Sequence, residues 1–233
     1  DKLLGKDYSN KFLDLVAIGM MGDMMSMTSL ETKEMIFEGL QEKNLRNPLI
    51  AGLANKNAFS LSKSDYLPSS CNNLSITPIG AAFFIIPFLN AMCRSGSPEE
   101  KDLVFKAMLT MKAFEIVPST KRGHKLGETE RIVDQALRCC TNVKKHQDDA
   151  VKASMELLEN NVQYLLDNKV LVLNVTQKDV NPNIAGLVAN KIQSKYQRPT
   201  CVVFNTDNGF SGSMRGYTAT GINNFKAVAE ASS

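Results

Sequence analysis

Residues 169–205 read KVLVLNVTQKDVNPNIAGLVANKIQSKYQRPTCVVFN, and this segment sets the architecture of the C-terminal part of the chain. The runs 169–175 and 200–205 are rich in Val and Leu and are bounded by polar residues, which is typical of strands. Between them, apolar residues recur at helical spacing from Pro182 to Tyr196. A strand–helix–strand unit of this length is predicted to be parallel and right-handed. A Gly/Ser-rich turn follows, and a further strand is predicted near residues 215–218, so the fold class is α/β.

The chain upstream of this unit is predicted to be mostly helical. Periodicity and capping signals predict helices near 10–25 and 30–43, and two more that begin at Pro78 and Pro98. The predicted capping residues are Ser9, Ser29, Thr77 and Ser97. A long helix is predicted over about 127–167, with a break near Lys144 left open. Residues 57–77 are rich in Ser and Asn and are predicted to form a loop.

Composition narrows the function only slightly. The 233 residues are 43% hydrophobic and 22% charged, which is enough for a buried core in two modest lobes. The net charge of +3 is compatible with an acidic partner if the basic residues cluster, but it does not by itself indicate nucleic acid. The P-loop, the G-x-S-x-G elbow and zinc-ligand spacings do not occur. The absence of these motifs argues against an NTPase, a hydrolase with a catalytic triad and a zinc-binding module.

Cysteines and apolar runs bear on the location of the protein. The five cysteines have no C-x-x-C spacing, so we expect reduced thiols and a cytoplasmic setting. The most apolar window, residues 76–93, contains Pro78 and Pro87 and is followed by Arg94, so we expect a buried helix and no membrane partner. The N-terminus does not resemble a signal peptide and begins without methionine, which suggests a fragment.

One motif offers a candidate metal ligand. Residues 14–23 read DLVAIGMMGD, with two carboxylates nine residues apart and glycines before the second. Carboxylate oxygens are the ligands that magnesium and manganese prefer, so Asp23, freed by glycine to turn inward, is a candidate. The alternative is that Asp23 only begins the turn to the next helix.

Two further motifs offer candidate phosphate-binding residues. Residues 88–96 read FLNAMCRSG and place Asn90 and Arg94 four apart on one helix face, where a guanidinium can grip a phosphate. An ordinary cationic last turn explains Arg94 equally well. Residues 210–216 read FSGSMRG, in which Ser213, Arg215 and glycine N–H groups make an anion nest, with a plain hairpin turn as the alternative.

The start of the helix after the first predicted strand is also a candidate. Residues 179–186 read DVNPNIAG and lie at the carboxyl end of the sheet, where ligands bind in such folds. Asn181 and Asn183 either contact a substrate there or serve only as a cap. Basic clusters around His124 and His146 are better read as phosphate-backbone contacts or as a solvated face than as metal sites.

Taken in order, these stretches resemble the later half of RecJ-like exonucleases of the DHH phosphoesterase superfamily, from about Phe12 to Tyr217. Residues 14–23 look like the family's fourth catalytic motif, 88–96 like its L-N-A-x-x-R-x-G segment, and 128–147 like its connecting helix. Residues 181–191 are similar to the H-x-G-x-x-G-[IL]-V-A-x-[KR] segment of the DHHA1 domain. Residues 212–216 are similar to its G-S-G-R-S phosphate-binding turn.

The resemblance implies an arrangement of domains and a set of functional residues. Residues 1–126 would form the C-terminal, mostly helical part of a DHH-like domain, 127–168 the connecting helix, and 169–233 a DHHA1-like α/β domain. Asp23 would bind one of two Mn²⁺ or Mg²⁺ ions, and the Asn181 region would lie near the scissile phosphodiester. The substrate-binding residues implied are Asn90, Arg94, Asn183, Ser213 and Arg215. The resemblance also implies roles in DNA repair and recombination.

The chain departs from the family pattern in three places. The D-x-D segment and the Asp-His-His triplet belong upstream of the fourth motif, yet no histidine precedes Asp23. Asparagine stands at position 181 where the family has histidine, and the phosphate turn reads Gly-Ser-Met-Arg-Gly. Asparagine donates hydrogen bonds but is not a general acid.

Two functions therefore stay open. One is part of a 5′→3′ exonuclease on single-stranded DNA, whose remaining metal ligands come from an N-terminal half or from another chain. The other is a catalytically incomplete nucleic-acid-binding module or adaptor. A family member acting on small nucleotides is less favoured, because residues 88–96 and the connecting helix look RecJ-like.

Overall fold

The computed structural model describes residues 11–57, 76–207, 209–217, 219, 227, 230 and 231. The chain divides into two compact units, Asp1–Lys144 and Lys145–Ser233. The boundary between the units falls inside a long helix. The predicted loop at 57–77 and the predicted cap at Ser9 lie almost wholly outside the described residues.

Short helices build most of the first unit, which agrees with the helical prediction. They are α1 (Leu13–Gly22), α2 (Leu30–Gly39), α3 (Pro48–Lys56), α4 (Pro78–Phe84), α5 (Ile86–Ser95) and α6 (Pro98–Met108), with a 3-10 turn at Glu42–Asn44. Their apolar faces form one core, in which Ile36, Leu49, Ile50, Leu53 and Ile85 are fully buried. Burial of these side chains is the main stabilising contribution to the unit.

Capping side chains begin three of these helices. Thr77 Oγ1 accepts a hydrogen bond from Gly80 N at 2.9 Å, and Ser97 and Glu100 form a complete capping box at α6. At the start of α3, Asn47 Oδ1 accepts hydrogen bonds from Leu49 N at 3.1 Å and Ile50 N at 3.3 Å. The predicted cap at Ser29 is wrong, because that residue precedes α2 without a side-chain hydrogen bond to it.

Helices α1 and α2 approach each other closely at Gly39. A Cβ atom at this position would lie 2.6 Å from Ala17 Cβ and would overlap the Leu13 carbonyl oxygen. Only glycine therefore allows the two backbones to come this close.

The apolar segment Pro78–Ser95 is broken into α4 and α5 at Ile85, where the backbone turns out of the helical region ahead of Pro87. Its 18 residues have a mean hydropathy of 1.3. By length and composition alone the segment could cross a membrane, but the core helices of soluble proteins also meet this criterion. Only a third of the segment is buried, and Ile79 and Phe83 are exposed. The helix that was expected to be buried is therefore only partly buried.

A small antiparallel hairpin precedes the long helix. Strands β1 (Ile116–Pro118) and β2 (Thr129–Arg131) pair over three residues each. The helix α7 runs from Ile132 to Leu165 without a break at Lys144. It starts later than the predicted position because residues 129–131 pair with β1, and such tertiary pairing overrides local helix propensity.

A buried ion pair fixes this hairpin. Glu130 is 6% exposed, and its carboxylate accepts hydrogen bonds from Arg138 Nη1 at 2.7 Å and Nη2 at 2.6 Å. Its Oε1 also accepts from Thr120 N at 2.9 Å. The Arg138 guanidinium lowers the pKa of Glu130 to about 2, below its ordinary value of 4.5.

The Glu130 pair predicts a pH-dependent stability. Because the folded-state pKa is depressed, the ion pair stabilises the fold above about pH 5 and loses this contribution as the pH falls toward about 2. We expect Glu130→Gln to lower the free energy of unfolding by about 2 kcal/mol near pH 7. The difference from the natural chain should shrink in urea titrations near pH 3. A pH-independent difference would contradict the assigned role of the carboxylate.

The second unit contains the predicted βαβ arrangement. Strand β3 (Leu171–Val175) pairs in parallel with β4 (Thr200–Thr206), and the helix α8 (Ala185–Tyr196) connects them after a 3-10 turn at Pro182–Ile184. Strand β5 (Gly209–Arg215) pairs antiparallel with β4, giving the order β3-β4-β5. One sheet face is buried through Leu171, Leu173, Val202 and Phe204 in a core that includes α8.

The segment 210–216 is a strand and not the predicted turn. Seven residues from Gly209 to Arg215 pair with β4, and Arg215 lies opposite Thr200. A Cβ atom at Gly212 would overlap the Val202 carbonyl oxygen. Glycine at this position therefore allows β5 to lie close to β4. The strand predicted near 215–218 therefore begins earlier and ends at Arg215.

Candidate metal-binding and phosphate-binding residues

The two carboxylates of the 14–23 motif have different surroundings. Asp14 is 1% exposed, and its oxygens accept hydrogen bonds from three backbone N–H groups. These are Leu15 N at 2.8 Å, Arg46 N at 2.9 Å and Asn47 N at 2.6 Å. Asp14 thus ties α1 to the segment that begins α3, and its acceptor oxygens are occupied.

Asp23 is the residue that follows α1, and it is exposed. Its backbone N–H donates to the Gly19 carbonyl at 3.0 Å. Within the described parts of the chain, no hydrogen bond or ion pair engages its carboxylate. The expectation that Asp23 turns inward is wrong, because the side chain faces solvent, but a carboxylate with unused acceptor oxygens suits a hard divalent cation.

A single carboxylate does not make a metal site. Among the described residues, no group of three or more His, Cys, Asp or Glu side chains is arranged to hold a metal ion. The donor chemistry of Asp23 fits Mn²⁺ or Mg²⁺ as one ligand. The remaining ligands of such a site are not found in the described ranges.

Asn90 and Arg94 lie one turn apart on α5. Asn90 is half-buried and Arg94 is exposed in the last turn. Neither side chain has a hydrogen bond or ion pair with any other residue that the structure describes. The guanidinium is therefore available to an external anion, although its place near the helix C-terminus also suits a purely structural cation.

In the second unit, Ser213 and Arg215 come together over the first turn of α8. The two residues are two positions apart along β5, so their side chains lie on the same face of the sheet. A Cβ atom added at Gly186 would lie 2.7 Å from Arg215 Nη2 and 3.4 Å from Ser213 Oγ. Gly186 thus leaves the space in which the guanidinium and the hydroxyl lie against the helix.

The Arg215 guanidinium retains most of its hydrogen-bonding capacity. Its Nη1 donates to the carbonyl of Met214 at 2.7 Å, and the residue is exposed. Arginine has five N–H donors, so the others can reach an anion. Ser213 is half-buried beside it and adds a hydroxyl donor.

Asn181 and Asn183 form the entry to α8. Asn181 Oδ1 accepts a hydrogen bond from Asn183 N at 2.9 Å, and both residues are exposed. Asn181 therefore caps the 3-10 turn, and its amide NH₂ group remains a donor. In the preceding loop, Asp179 accepts hydrogen bonds from Thr176 N and Oγ1, and these lower the pKa of its carboxyl group.

The predicted residues fall into two sets, one in each unit. Asp23, Asn90 and Arg94 belong to the first unit, whereas the second unit contains Asn181, Asn183, Ser213 and Arg215. The sequence patterns did not predict a role for Gly186. They also did not predict that Asp14 is buried and accepts hydrogen bonds from backbone N–H groups. Recognising 209–215 as a strand would have placed Ser213 and Arg215 on one face by simple alternation.

The known proteins that are similar to this chain carry the names of exonucleases. The chain is 35% identical over 232 residues to YorK of Bacillus subtilis strain 168, named as a candidate SPbeta prophage-derived single-strand DNA-specific exonuclease. The corresponding protein of Bacillus phage SPbeta matches equally well. The match covers 97% of this chain but 38% of each relative, so the chain spans about two fifths of their length. No family model matches.

Solved structures of RecJ share the fold. A manganese-bound exonuclease RecJ matches with a TM-score of 0.58 at 19% identity, covering 87% of this chain and 43% of RecJ. RecJ of Thermus thermophilus in complex with Mg²⁺ matches with a TM-score of 0.51 at 17% identity, covering 87% and 27%. The α/β prediction and the resemblance to a RecJ-like C-terminal portion are confirmed.

Proposed function

We propose that this RecJ-like chain is part of a metal-dependent exonuclease that hydrolyses single-stranded DNA from its 5′ end, and that its own residues mainly hold the strand. The observation that carries this proposal is the position of Arg215 and Ser213 over Gly186. The relatives' names give the substrate, single-stranded DNA. The domain limits at 126 and 168 that the resemblance implies belong to the same proposal.

Phosphate binding at Arg215 follows from its chemistry. A guanidinium presents parallel N–H donors that match two phosphate oxygens, which gives both attraction and orientation. The Ser213 hydroxyl adds a donor on the same face of the sheet. Arg94 in the first unit offers a second guanidinium, with Asn90 beside it on α5. These groups recognise the backbone and not the bases, as an exonuclease of low sequence preference requires.

Asp23 is proposed as one ligand of a divalent metal pair. When bound, Mn²⁺ or Mg²⁺ would supply an activated water and stabilise the leaving oxygen of the phosphodiester. This chain contributes a single exposed carboxylate to that chemistry. We attribute the remaining ligands to another part of the polypeptide or to a partner chain, which agrees with the chain's 38% coverage of its relatives.

Asn181 is proposed to orient the substrate near the scissile phosphate. Its amide NH₂ is free to donate a hydrogen bond while Oδ1 caps the 3-10 turn. Amides do not transfer protons as histidines do, so Asn181 acts by positioning. Asn183 is assigned to the same contact region.

A catalytically incomplete DNA-binding module is the second candidate function. The observation that favours it is that the described ranges contain no complete metal-ligand group. In this case the chain would bind single strands and deliver them to a partner that holds the nuclease centre. The four described cysteines are free thiols, which supports the proposed cytoplasmic setting for either function.

An end-labelling assay tests the proposal. Single-stranded DNA of one sequence, with a 5′ phosphate and a label at either end, is incubated with Mn²⁺ and this chain, alone or joined to the rest of its polypeptide. We expect no degradation by the chain alone and 5′→3′ degradation of single strands by the joined protein. Binding without degradation by the joined protein would favour the module. Degradation from the 3′ end would contradict the assigned polarity.

A further inference from the structure

The loop between β1 and β2 carries a dense cluster of cations in the first unit. Residues 121–125 read KRGHK, and Lys121, Arg122, His124 and Lys125 are all exposed. We call residues 121–125 the basic loop. The functional residues assigned above do not include it.

Two consecutive tight turns give the basic loop a defined shape. His124 N donates to the Lys121 carbonyl at 3.1 Å, and Glu128 N donates to the Lys125 carbonyl at 3.0 Å. Gly123 has φ +79 and Gly127 has φ +85. An i→i+3 hydrogen bond with positive φ at the third residue is the pattern of a type II turn. The cations are therefore displayed from a back-to-back pair of such turns.

Both ends of the loop are anchored. Ser119 N donates to the Glu128 carbonyl at 2.9 Å, which closes the loop at its base. Thr120 N donates to the buried Glu130 carboxylate. The Gln135 amide on α7 donates to Thr120 Oγ1 at 2.8 Å. Ordering the loop before a ligand arrives reduces the entropy lost on binding.

The cations of the basic loop outnumber the carboxylates near them, because Glu130, which interacts electrostatically with Lys121, is already paired with Arg138. In the described ranges, Lys121, Arg122 and Lys125 form no ion pair, whereas Lys195 pairs with Glu159. Nearby Lys112 and Arg131 pair with Glu115 and Asp134. Glu128, which closes the second turn just after the basic loop, accepts a hydrogen bond from Lys125 N at 3.1 Å. The tip therefore keeps a net positive charge.

We propose that the basic loop is a second binding site for the phosphate backbone of single-stranded DNA. The inference rests on the proposed function, which makes single strands the substrate. Three exposed cations within five residues, none of them in an ion pair with a residue that the structure describes, give an extended positive surface that suits a polyanionic backbone better than a point anion. A membrane surface fits less well, because Leu126 is the one large apolar side chain at the tip and gives little area to bury in lipid.

The test compares two triple variants of the chain by fluorescence anisotropy with single-stranded DNA over a range of salt concentrations. One variant is Lys121→Gln/Arg122→Gln/Lys125→Gln, and the matched control is Lys33→Gln/Arg46→Gln/Lys101→Gln, three exposed cations of the same unit. We expect the loop variant to reduce the slope of log Kd against log salt by about 2 and to raise Kd about ten-fold. The control should change the slope far less.

Each outcome either supports the basic loop as a DNA-binding site or overturns that proposal. If the natural chain binds single strands and the two variants have equal slopes, the basic loop is not a DNA site while the proposed function stands. If the natural chain does not bind at all, both proposals fail. A loop variant that keeps its DNA affinity but no longer binds phosphatidylglycerol vesicles would assign the loop to membranes and overturn the inference. Gly123→Ala/Gly127→Ala retains every charge and is expected to weaken binding about three-fold through loss of the turns.

Discussion

Asp14→Ala is expected to lower the free energy of unfolding of the first unit by about 3–5 kcal/mol. The buried carboxylate accepts hydrogen bonds from the N–H groups of Leu15, Arg46 and Asn47. Its removal leaves these donors with no partner in a buried site and also opens a small cavity. Urea denaturation followed by circular dichroism measures the loss.

Asp23→Ala is the matched control for this variant. Its carboxylate is exposed, so its removal should change the free energy of unfolding by less than about 0.5 kcal/mol. Equal destabilisation by the two substitutions would contradict the structural role assigned to the buried Asp14 carboxylate. Asp14→Asn should fall in between, because the amide keeps one acceptor oxygen but turns a donor toward backbone N–H groups.

Arg215→Ala is expected to weaken binding of single-stranded DNA by about ten-fold or more, because a charge-assisted contact to phosphate contributes about 1.5–3 kcal/mol. The side chain is exposed and lies over Gly186, so stability should change little. Arg215→Lys keeps the charge but loses the paired donors, and an intermediate affinity is expected. Anisotropy titration with a 3′-labelled single strand measures each Kd.

Gly186→Ala separates the position of the guanidinium from its charge. The added Cβ would lie 2.7 Å from Arg215 Nη2, so the guanidinium must move. Alanine is a better helix former than glycine, so we expect α8 to be no less stable while affinity falls about three-fold or more. Unchanged affinity in both Gly186→Ala and Arg215→Ala would show that phosphate is not bound at this place.

Local sequence patterns correctly predicted those helices and strands that are determined by hydrophobic periodicity and capping residues. The parallel βαβ unit follows from apolar runs and a helical period between them, and the helices beginning at Pro78 and Pro98 follow from Thr77 and Ser97 as caps. The order of the motifs along the chain indicated a resemblance to RecJ-like proteins, and the comparison with known proteins confirmed this resemblance.

Other features depend on partners far along the chain. The 210–216 segment has the Gly and Ser content of a turn, yet pairing with β4 makes it a strand, and Gly212 fits because a side chain would overlap Val202. The hydrogen bonds of Asp14 reach residues 32 and 33 positions away. Strands as short as β1 and β2 have too few residues to produce a pattern. Such features arise from tertiary contacts that no sequence window contains.

The proposed function requires that this chain holds single-stranded DNA and supplies one metal ligand through Asp23. The most direct test measures Mn²⁺-dependent hydrolysis of 5′-phosphorylated single-stranded DNA by the joined protein, with the natural residue and with Asp23→Ala. We predict a fall in rate of at least about 100-fold, with the Kd for single strands changed less than about two-fold. Activity that survives Asp23→Ala would contradict the metal assignment.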